Sequence, residues 1–219
     1  MPISAFVQTG IFLLLTAVVL FASAGTLAIP LYWVYFAVIV AFSVLMLATL
    51  PADLIQERMR PGGQKVPARL QLVSLLLFAH WVLAGLDRGR FHWSDSVPLW
   101  LRVVGLLLFA GGLGLFYWAM RVNRFFSSVA RIQADRGQVV IDTGPYAVVR
   151  HPGYSAAVML IIGSGLALCS WLATALLIVA GLPMLFLRAI GEDRMLHADL
   201  PGYRDYAQRV RWRMLPGVW

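Results

Sequence analysis

Two short clusters near the C-terminus carry the side chains best suited to chemistry. The first contains Gly144, Pro145 and Tyr146, then Arg150, His151, Pro152, Gly153 and Tyr154. The second contains Arg188, Glu192, Asp193, Arg194 and Leu196, followed by Pro201, Gly202, Tyr203 and Tyr206. Arginine offers a permanent cation whose planar fork fits a carboxylate. A carboxylate accepts from hydroxyls and amines, and tyrosine faces attract cations. Such a set suits a small ligand that carries both charges and hydroxyls. Something must bring the clusters together, because roughly 34 uncharged residues separate them. Two helices of about 17 residues each would rise about 25 Å, just short of a bilayer core of about 30 Å. A hairpin that crosses and returns puts both clusters on one membrane face. The residue before a proline is held extended, and proline itself fits the first turn of a helix. Arg150 and His151 are therefore expected at the mouth of a helix starting at Pro152, where free N–H groups favour an anion.

Composition requires a membrane. Hydrophobic residues make up 60% of the 219 and charged residues 13%, with mean hydropathy +0.78. A soluble domain has about 25% charged residues, so a soluble fold is excluded. The apolar runs are continuous rather than alternating, which selects helices over a barrel. The net charge of +8 comes mostly from arginine. In this setting it reports cytoplasmic loops and anionic headgroups rather than nucleic acid. Cys169 is the only cysteine. It can form no intrachain disulfide and reads as a small apolar filler.

Six apolar stretches are expected, at about 5–24, 31–50, 70–86, 98–120, 154–168 and 171–187. The last two form the hairpin, and if they are a single re-entrant element the count is five. The fold class is thus an all-α polytopic transmembrane bundle of five to six spans. Residues 1–219 read as one membrane domain, with four spans in 1–120 and a catalytic segment in 121–219. Met1 to Ser4 hold no basic residue, so the first stretch reads as a retained span. Arg58, Arg60, Lys65 and Arg69 enrich one loop. Arg121, Arg124, Arg131, Arg136 and Arg150 enrich another, and Arg194, Arg204, Arg209, Arg211 and Arg213 the tail. The segment 23–31 has no charge, and Arg88 and Arg90 balance Asp87 and Asp95. The positive-inside bias places both termini and both clusters in the cytoplasm, with the cell inner membrane as the expected site.

At these residues the chain resembles the isoprenylcysteine carboxyl methyltransferase family, which is related to membrane phospholipid N-methyltransferases. The resemblance rests on Gly144-Pro145-Tyr146, Arg150-His151-Pro152 and Tyr154. After the hairpin it continues through Arg188, Glu192-Asp193 and Leu196, then Tyr203, Tyr206 and Val210 to Pro216. Asn123-Arg124-Phe125-Phe126-Ser127 also looks like the family. The match covers about the last hundred residues. It departs at Asp193, where the family has Glu, and at Leu200-Pro201-Gly202, which replaces a Phe-Gly element. The resemblance implies methyl transfer from S-adenosylmethionine to a lipophilic acceptor. The donor would enter from the cytoplasm and the acceptor from the bilayer.

On that footing the cofactor-binding candidates are Tyr146, Arg150, His151, Pro152, Tyr154, Glu192 and Asp193, with Arg150 and Glu192 as catalytic candidates. Asn123, Phe126, Arg211 and Arg213 are candidates for acceptor binding. Each has a plainer reading. Arg150 could anchor to headgroups, and His151 could only brace the turn. The tyrosines could form an interfacial belt. Glu192 could pair with Arg188 one turn earlier, and Arg211 and Arg213 could simply coat the membrane surface. Of the two acids, Glu192 leads and Asp193 points to another side of the helix. No metal is expected, since His80, His92, His151 and His197 lack ligand spacing. Gly111-Gly112-Leu113-Gly114 sits in an apolar span and reads as a helix contact rather than a dinucleotide loop. His80 reads as a satisfied helix contact, and Arg102 as a snorkelling side chain.

No obvious base is present, which favours a carboxylate acceptor of isoprenylcysteine type over an amine or thiol. Phospholipid, amine or thiol methylation is the alternative. Rivals from other classes are a sterol-reductase-like oxidoreductase and a non-enzymatic membrane module. Oligomeric state is open from sequence.

Overall fold

The computed structural model describes residues 3–63 and 68–219, without the side chains of 68–71. Lys65 and the side chain of Arg69, both counted in the first basic loop, lie outside the described residues, as do Met1 and Pro2. Among the described residues helices are the only regular secondary structure. Five helices are long and apolar enough to cross a membrane, and a sixth apolar helix is shorter.

α1 spans Ile3–Ala24 and α2 spans Pro30–Thr49. Gly25 makes the turn between them at φ +68°, a conformation that favours glycine. Pro51 ends α2, and the short helix α3, Ala52–Met59, follows. α4, Ala68–Leu86, runs on into a wider turn over Asp87–Phe91. α5, Leu99–Val122, starts directly after Pro98. A long loop leads to α6, Pro152–Ala167. α7 is a continuous helical segment, Trp171–Asp199, and α8 is Tyr203–Arg209.

The hairpin forms as expected, but its arms are unequal. α6 has 16 residues and α7 has 29. At 1.5 Å per residue α7 is about 43 Å long and exceeds a bilayer core of about 30 Å by about two and a half turns. Its charged end therefore overhangs the membrane as helix rather than as loop. Pro183 has no N–H to give Val179, and the helix widens over Leu177–Gly181 just before it. Cys169 turns the hairpin at φ +61° and is buried, as a small filler would be. Ser170 caps α7 by accepting from the Ala173 N–H at 3.0 Å.

α5 and α6 pack most closely. A Cβ at Gly163 would lie 2.6 Å from the Phe109 nitrogen, and one at Gly105 would lie 2.6 Å from the Leu166 Cβ. The glycines that let the backbones meet are thus Gly105, Gly112 and Gly163, while Gly114 faces open space. A polar chain crosses the apolar core. Trp81 donates to the Tyr35 hydroxyl at 3.0 Å, Tyr35 meets Ser164 at 2.7 Å, and Ser164 meets His80 Nε2 at 3.0 Å. His80 is thereby a satisfied contact between helices. Arg102 Nε donates to the Val97 carbonyl at 2.8 Å.

Near the clusters, α3 packs Leu54 and Ile55 against Ala5, Leu50 and Met120, with Phe116 and Phe126 alongside. It also anchors the long loop. Arg131 donates to Glu57 through Nε and Nη2, both at 2.9 Å, and Arg136 pairs with Asp53 at 2.7 Å. Burial alone would push the Glu57 carboxyl up. Hydrogen bonds from Arg131, the Gly62 N–H and Ser127 outweigh that and hold it below its ordinary value of 4.5.

Candidate active site

Three chain segments meet beyond the end of the hairpin: the entry to α6, the overhanging part of α7, and the tail after α8. The tail runs beside the entry to α6. Arg150 N–H donates to the Trp212 carbonyl at 2.9 Å, and His151 N–H donates to the Arg213 carbonyl at 2.8 Å. Ser155 Oγ donates to the Met214 carbonyl at 2.6 Å. Tyr206 adds a bond from its hydroxyl to the Tyr146 carbonyl at 2.7 Å.

Asp193 is the centre of this junction. Arg150 donates to it through Nε at 3.0 Å and Nη2 at 3.1 Å, and Arg213 Nε donates at 2.9 Å. Tyr203 OH donates at 2.9 Å, and His151 Nε2 lies 3.0 Å away. The side chain of Asp193 is only 3% exposed, so its charge is held by paired donors rather than by water. Arg150 also donates through Nη1 to the Val210 and Arg211 carbonyls at 2.9 and 2.8 Å. Burial alone would lower the Arg150 pKa, but Asp193 raises it above its ordinary value. Burial and the Asp193 charge together push the Tyr203 phenol up.

A second group lies on the neighbouring side of α7. Tyr154 OH donates to Glu192 and accepts from Arg188 Nε at 2.9 Å. The two charges are thus joined through a phenol; no direct Arg188–Glu192 ion pair exists among the described residues. Asn123 Nδ2 donates to the Tyr146 hydroxyl at 3.1 Å. Phe126 stands edge-on to Phe116 with centroids 5.2 Å apart, and a Cβ on Gly153 would lie 2.6 Å from its ring. The two groups adjoin, with the His151 and Tyr154 rings 5.7 Å apart.

Most of the candidates from sequence converge here, but their weights change. Asp193, expected to point elsewhere, gathers the cations, while Glu192 takes a single phenolic hydrogen bond. Arg150 is occupied by Asp193 and two carbonyls, so it organises the junction rather than presenting a free fork. Pro152 is buried as the first residue of α6. Arg213 joins the network, but Arg211 contributes only its carbonyl and its side chain is exposed. They stand two positions apart, and the chain bends from Arg213 onward, so the two side chains face different ways. Tyr203 and Arg188 gain site positions that sequence reading gave only to motif spelling and to a salt bridge. An open cleft of about 330 Å³ adjoins Asp193 and is lined by Arg194, His197, Ala198, Arg204 and Arg213. Among the described residues no three His, Cys, Asp or Glu side chains stand together as a metal site.

Fold and junction define a polytopic helical membrane protein with a buried ionic junction beyond the end of its hairpin. Residues 100–199 match the model of the family described as phospholipid methyltransferase. Among solved structures, the eukaryotic intramembrane Ras methyltransferase ICMT, isoprenylcysteine carboxyl methyltransferase, superposes with a TM-score of 0.67. That likeness covers 98% of this chain and 77% of the other at 19% identity, and it speaks for the fold. Two curated relatives align over 130 residues, 59% of this chain. The nickel-cobalt-cadmium resistance protein NccN of Alcaligenes xylosoxydans xylosoxydans is 29% identical. The cobalt-zinc-cadmium resistance protein CzcN of Cupriavidus metallidurans is 32% identical. The alignments take in 57% and 56% of those proteins, so the chain spans just over half the length of the curated relatives it matches.

Proposed function

We propose that the protein transfers a methyl group from S-adenosylmethionine to a lipophilic acceptor at the cytoplasmic face of the cell inner membrane. It acts as one membrane unit, with the catalytic residues in 121–219. The observation that carries this reading is the junction itself: two clusters 43 residues apart close around Asp193, beside an open cleft. The match to the phospholipid methyltransferase family over 100–199 supports the same class.

The donor set fits the proposed cofactor, which bears a carboxylate, an amine, hydroxyls, an aromatic base and a sulfonium. Arg194, Arg204 and Arg213 line the cleft and suit the carboxylate. Glu192 suits the amine or ribose hydroxyls, and Tyr146 and Tyr154 offer aromatic faces. When bound, the cofactor would supply an activated methyl, whose transfer to the acceptor's nucleophile would break the carbon–sulfur bond and leave its electron pair on a neutral sulfur. The chain has to align and to exclude water. Arg150 does so by fixing Asp193 and the tail, and His151 by closing the same junction. Tyr154 sets the position of Glu192. A carboxylate acceptor needs no base at neutral pH, so carboxyl methylation of an isoprenylcysteine-like compound is the favoured reaction. Amine or thiol methylation is the alternative.

Purified protein in lipid nanodiscs should bind S-adenosylmethionine saturably, and Glu192→Ala should weaken that binding. It should also transfer label from methyl-labelled donor to a component of a membrane lipid extract. Folded protein with no saturable donor binding would sink the reading.

A further inference from the structure

Arg58 is a half-buried cation with no ion-pair partner among the described residues. It belongs to α3, outside the segment that matches the methyltransferase family, yet it reaches the site. Its guanidinium lies against an edge-on pair of aromatic rings, 5.3 Å from the Phe116 centroid and 5.2 Å from that of Phe126. Among the described residues that guanidinium meets no carboxylate and no carbonyl. The other cations near it are committed: Arg131 to Glu57 and Asp135, Arg136 to Asp53, and Arg150 to Asp193. Arg58 is half-buried, so its charge is only partly hydrated, and an anionic ligand would supply the counter-charge it lacks.

The backbone of Arg58 is held to the same loop that meets the second group of the site. Ser128 Oγ donates to the Arg58 carbonyl at 2.9 Å, and Arg188 Nη2 donates to the Ser128 carbonyl. One serine thus ties Arg58 and Arg188 to the same stretch of loop. Arg188 uses Nε on Tyr154, and its Nη1 meets no acceptor among the described residues. Burial and the nearby charge of Arg188 lower the Arg58 pKa to about 10, as expected for two close cations without an anion between them. Phe126, against which Arg58 lies, also packs on Gly153 at the entry to α6, so Arg58 stands beside the proposed methyl-transfer site. Around it are Phe116, Phe126, Met59 and Met120, an apolar setting that suits a lipid tail.

We infer that Arg58, with Arg188 beside it, forms a subsite for the oxyanion of the lipophilic methyl acceptor, a carboxylate or a phosphate. This assignment rests on the methyltransferase reading above and narrows its acceptor to an acid. The aromatic pair keeps the Arg58 fork in place, and the anion supplies the missing counter-charge. Lysine is a poor substitute, because it offers a point charge without the planar fork.

The test uses binding, so it does not depend on turnover. Protein in neutral phosphatidylcholine nanodiscs is titrated with four probes: N-acetyl-S-farnesylcysteine, its neutral carboxamide, farnesyl phosphate and farnesol. The wild type should bind at least one acid about ten-fold tighter than its neutral partner. Arg58→Gln should erase that preference, and Arg58→Lys should keep part of it. Carboxylate preference lost in Arg58→Gln supports the subsite with a carboxylate acceptor, and phosphate preference lost there supports it with a phosphate. Equal binding of acid and neutral probes by wild type, or an acid preference that survives Arg58→Gln, overturns the proposal. The thermal unfolding midpoint and S-adenosylmethionine affinity of each variant are measured alongside. Donor binding should stay within about two-fold of wild type. Loss of donor binding by the wild type itself would strike the methyltransferase reading, whereas acid preference would still report on Arg58.

Discussion

Arg150 holds Asp193 with two parallel hydrogen bonds, at 3.0 and 3.1 Å, across 43 residues of chain. The same guanidinium holds the Val210 and Arg211 carbonyls. One side chain therefore joins the start of α6, the overhang of α7 and the tail. Integrity of the junction and chemistry at the junction should be separable by substitution.

Asp193→Asn removes the counter-charge of Arg150 and Arg213 in a site where Asp193 is only 3% exposed. Breaking a buried pair by removing one partner costs about 3–5 kcal/mol. Unfolding in mild detergent should show a loss of that order. Glu192→Gln keeps an acceptor for Tyr154, so its stability cost should be about 1 kcal/mol or less. Its effect should fall on donor affinity and turnover. Equal destabilisation by the two variants would undo the division between Asp193 as organiser and Glu192 as functional group.

The α5–α6 contact predicts opposite fates for two glycines. An added methyl at Gly163 would meet the Phe109 nitrogen at 2.6 Å and the Gly105 carbonyl oxygen at 2.7 Å. These are backbone atoms and cannot swing aside, so Gly163→Ala should cost at least about 1–3 kcal/mol. Gly114→Ala meets nothing within 4 Å and should be neutral or gain up to about 1 kcal/mol of helix propensity. Thermal unfolding of both variants checks this directly.

Gly153→Ala should act on the acceptor side alone. Its methyl would lie 2.6 Å from the Phe126 ring, which must rotate or shift. Phe126 shares its surroundings with Phe116 and Arg58. Acceptor KM should rise several-fold while donor affinity holds within about two-fold. A fall in donor affinity with acceptor KM unchanged would move Phe126 to the donor pocket.

Glu57 gives a pH dependence of definite sign. Its folded pKa lies below the ordinary 4.5: burial opposes ionisation, but the bonds from Arg131, Gly62 and Ser127 prevail. A depressed carboxylate stabilises the fold above its unfolded pKa and loses that contribution as pH falls through the folded value. The stability gap between wild type and Glu57→Gln should be full at neutral pH and close only below about pH 4.5. A gap that widens on acidification would contradict the arrangement. Unfolding midpoints measured from pH 7 down to 3.5 provide the check.

Much of this was legible in the chain. Continuous apolar runs, prolines at 30, 98 and 152, and uncharged stretches of sufficient length announced the helices and the hairpin, because these are local properties. The roles of His80 and Cys169 followed from what an apolar surrounding permits. Partnerships did not. Glu57 and Arg131 lie 74 residues apart and appeared only as loop charges of opposite sign. The length of α7 was also underestimated, since the first charge after an apolar run marks where the bilayer ends and not where the helix does.

The sequence by itself determined that this is a helical membrane protein with two chemically loaded clusters at the ends of a hairpin. It did so through composition, periodicity and proline position, which act on neighbours along the chain. Only the tertiary structure decided that Asp193 rather than Glu192 is the hub, that Arg213 and not Arg211 joins it, and that Arg58 arrives from a distant helix. Those outcomes depend on the rotation of α7 about its axis and on the docking of an extended tail. Both are fixed by contacts between segments far apart in sequence.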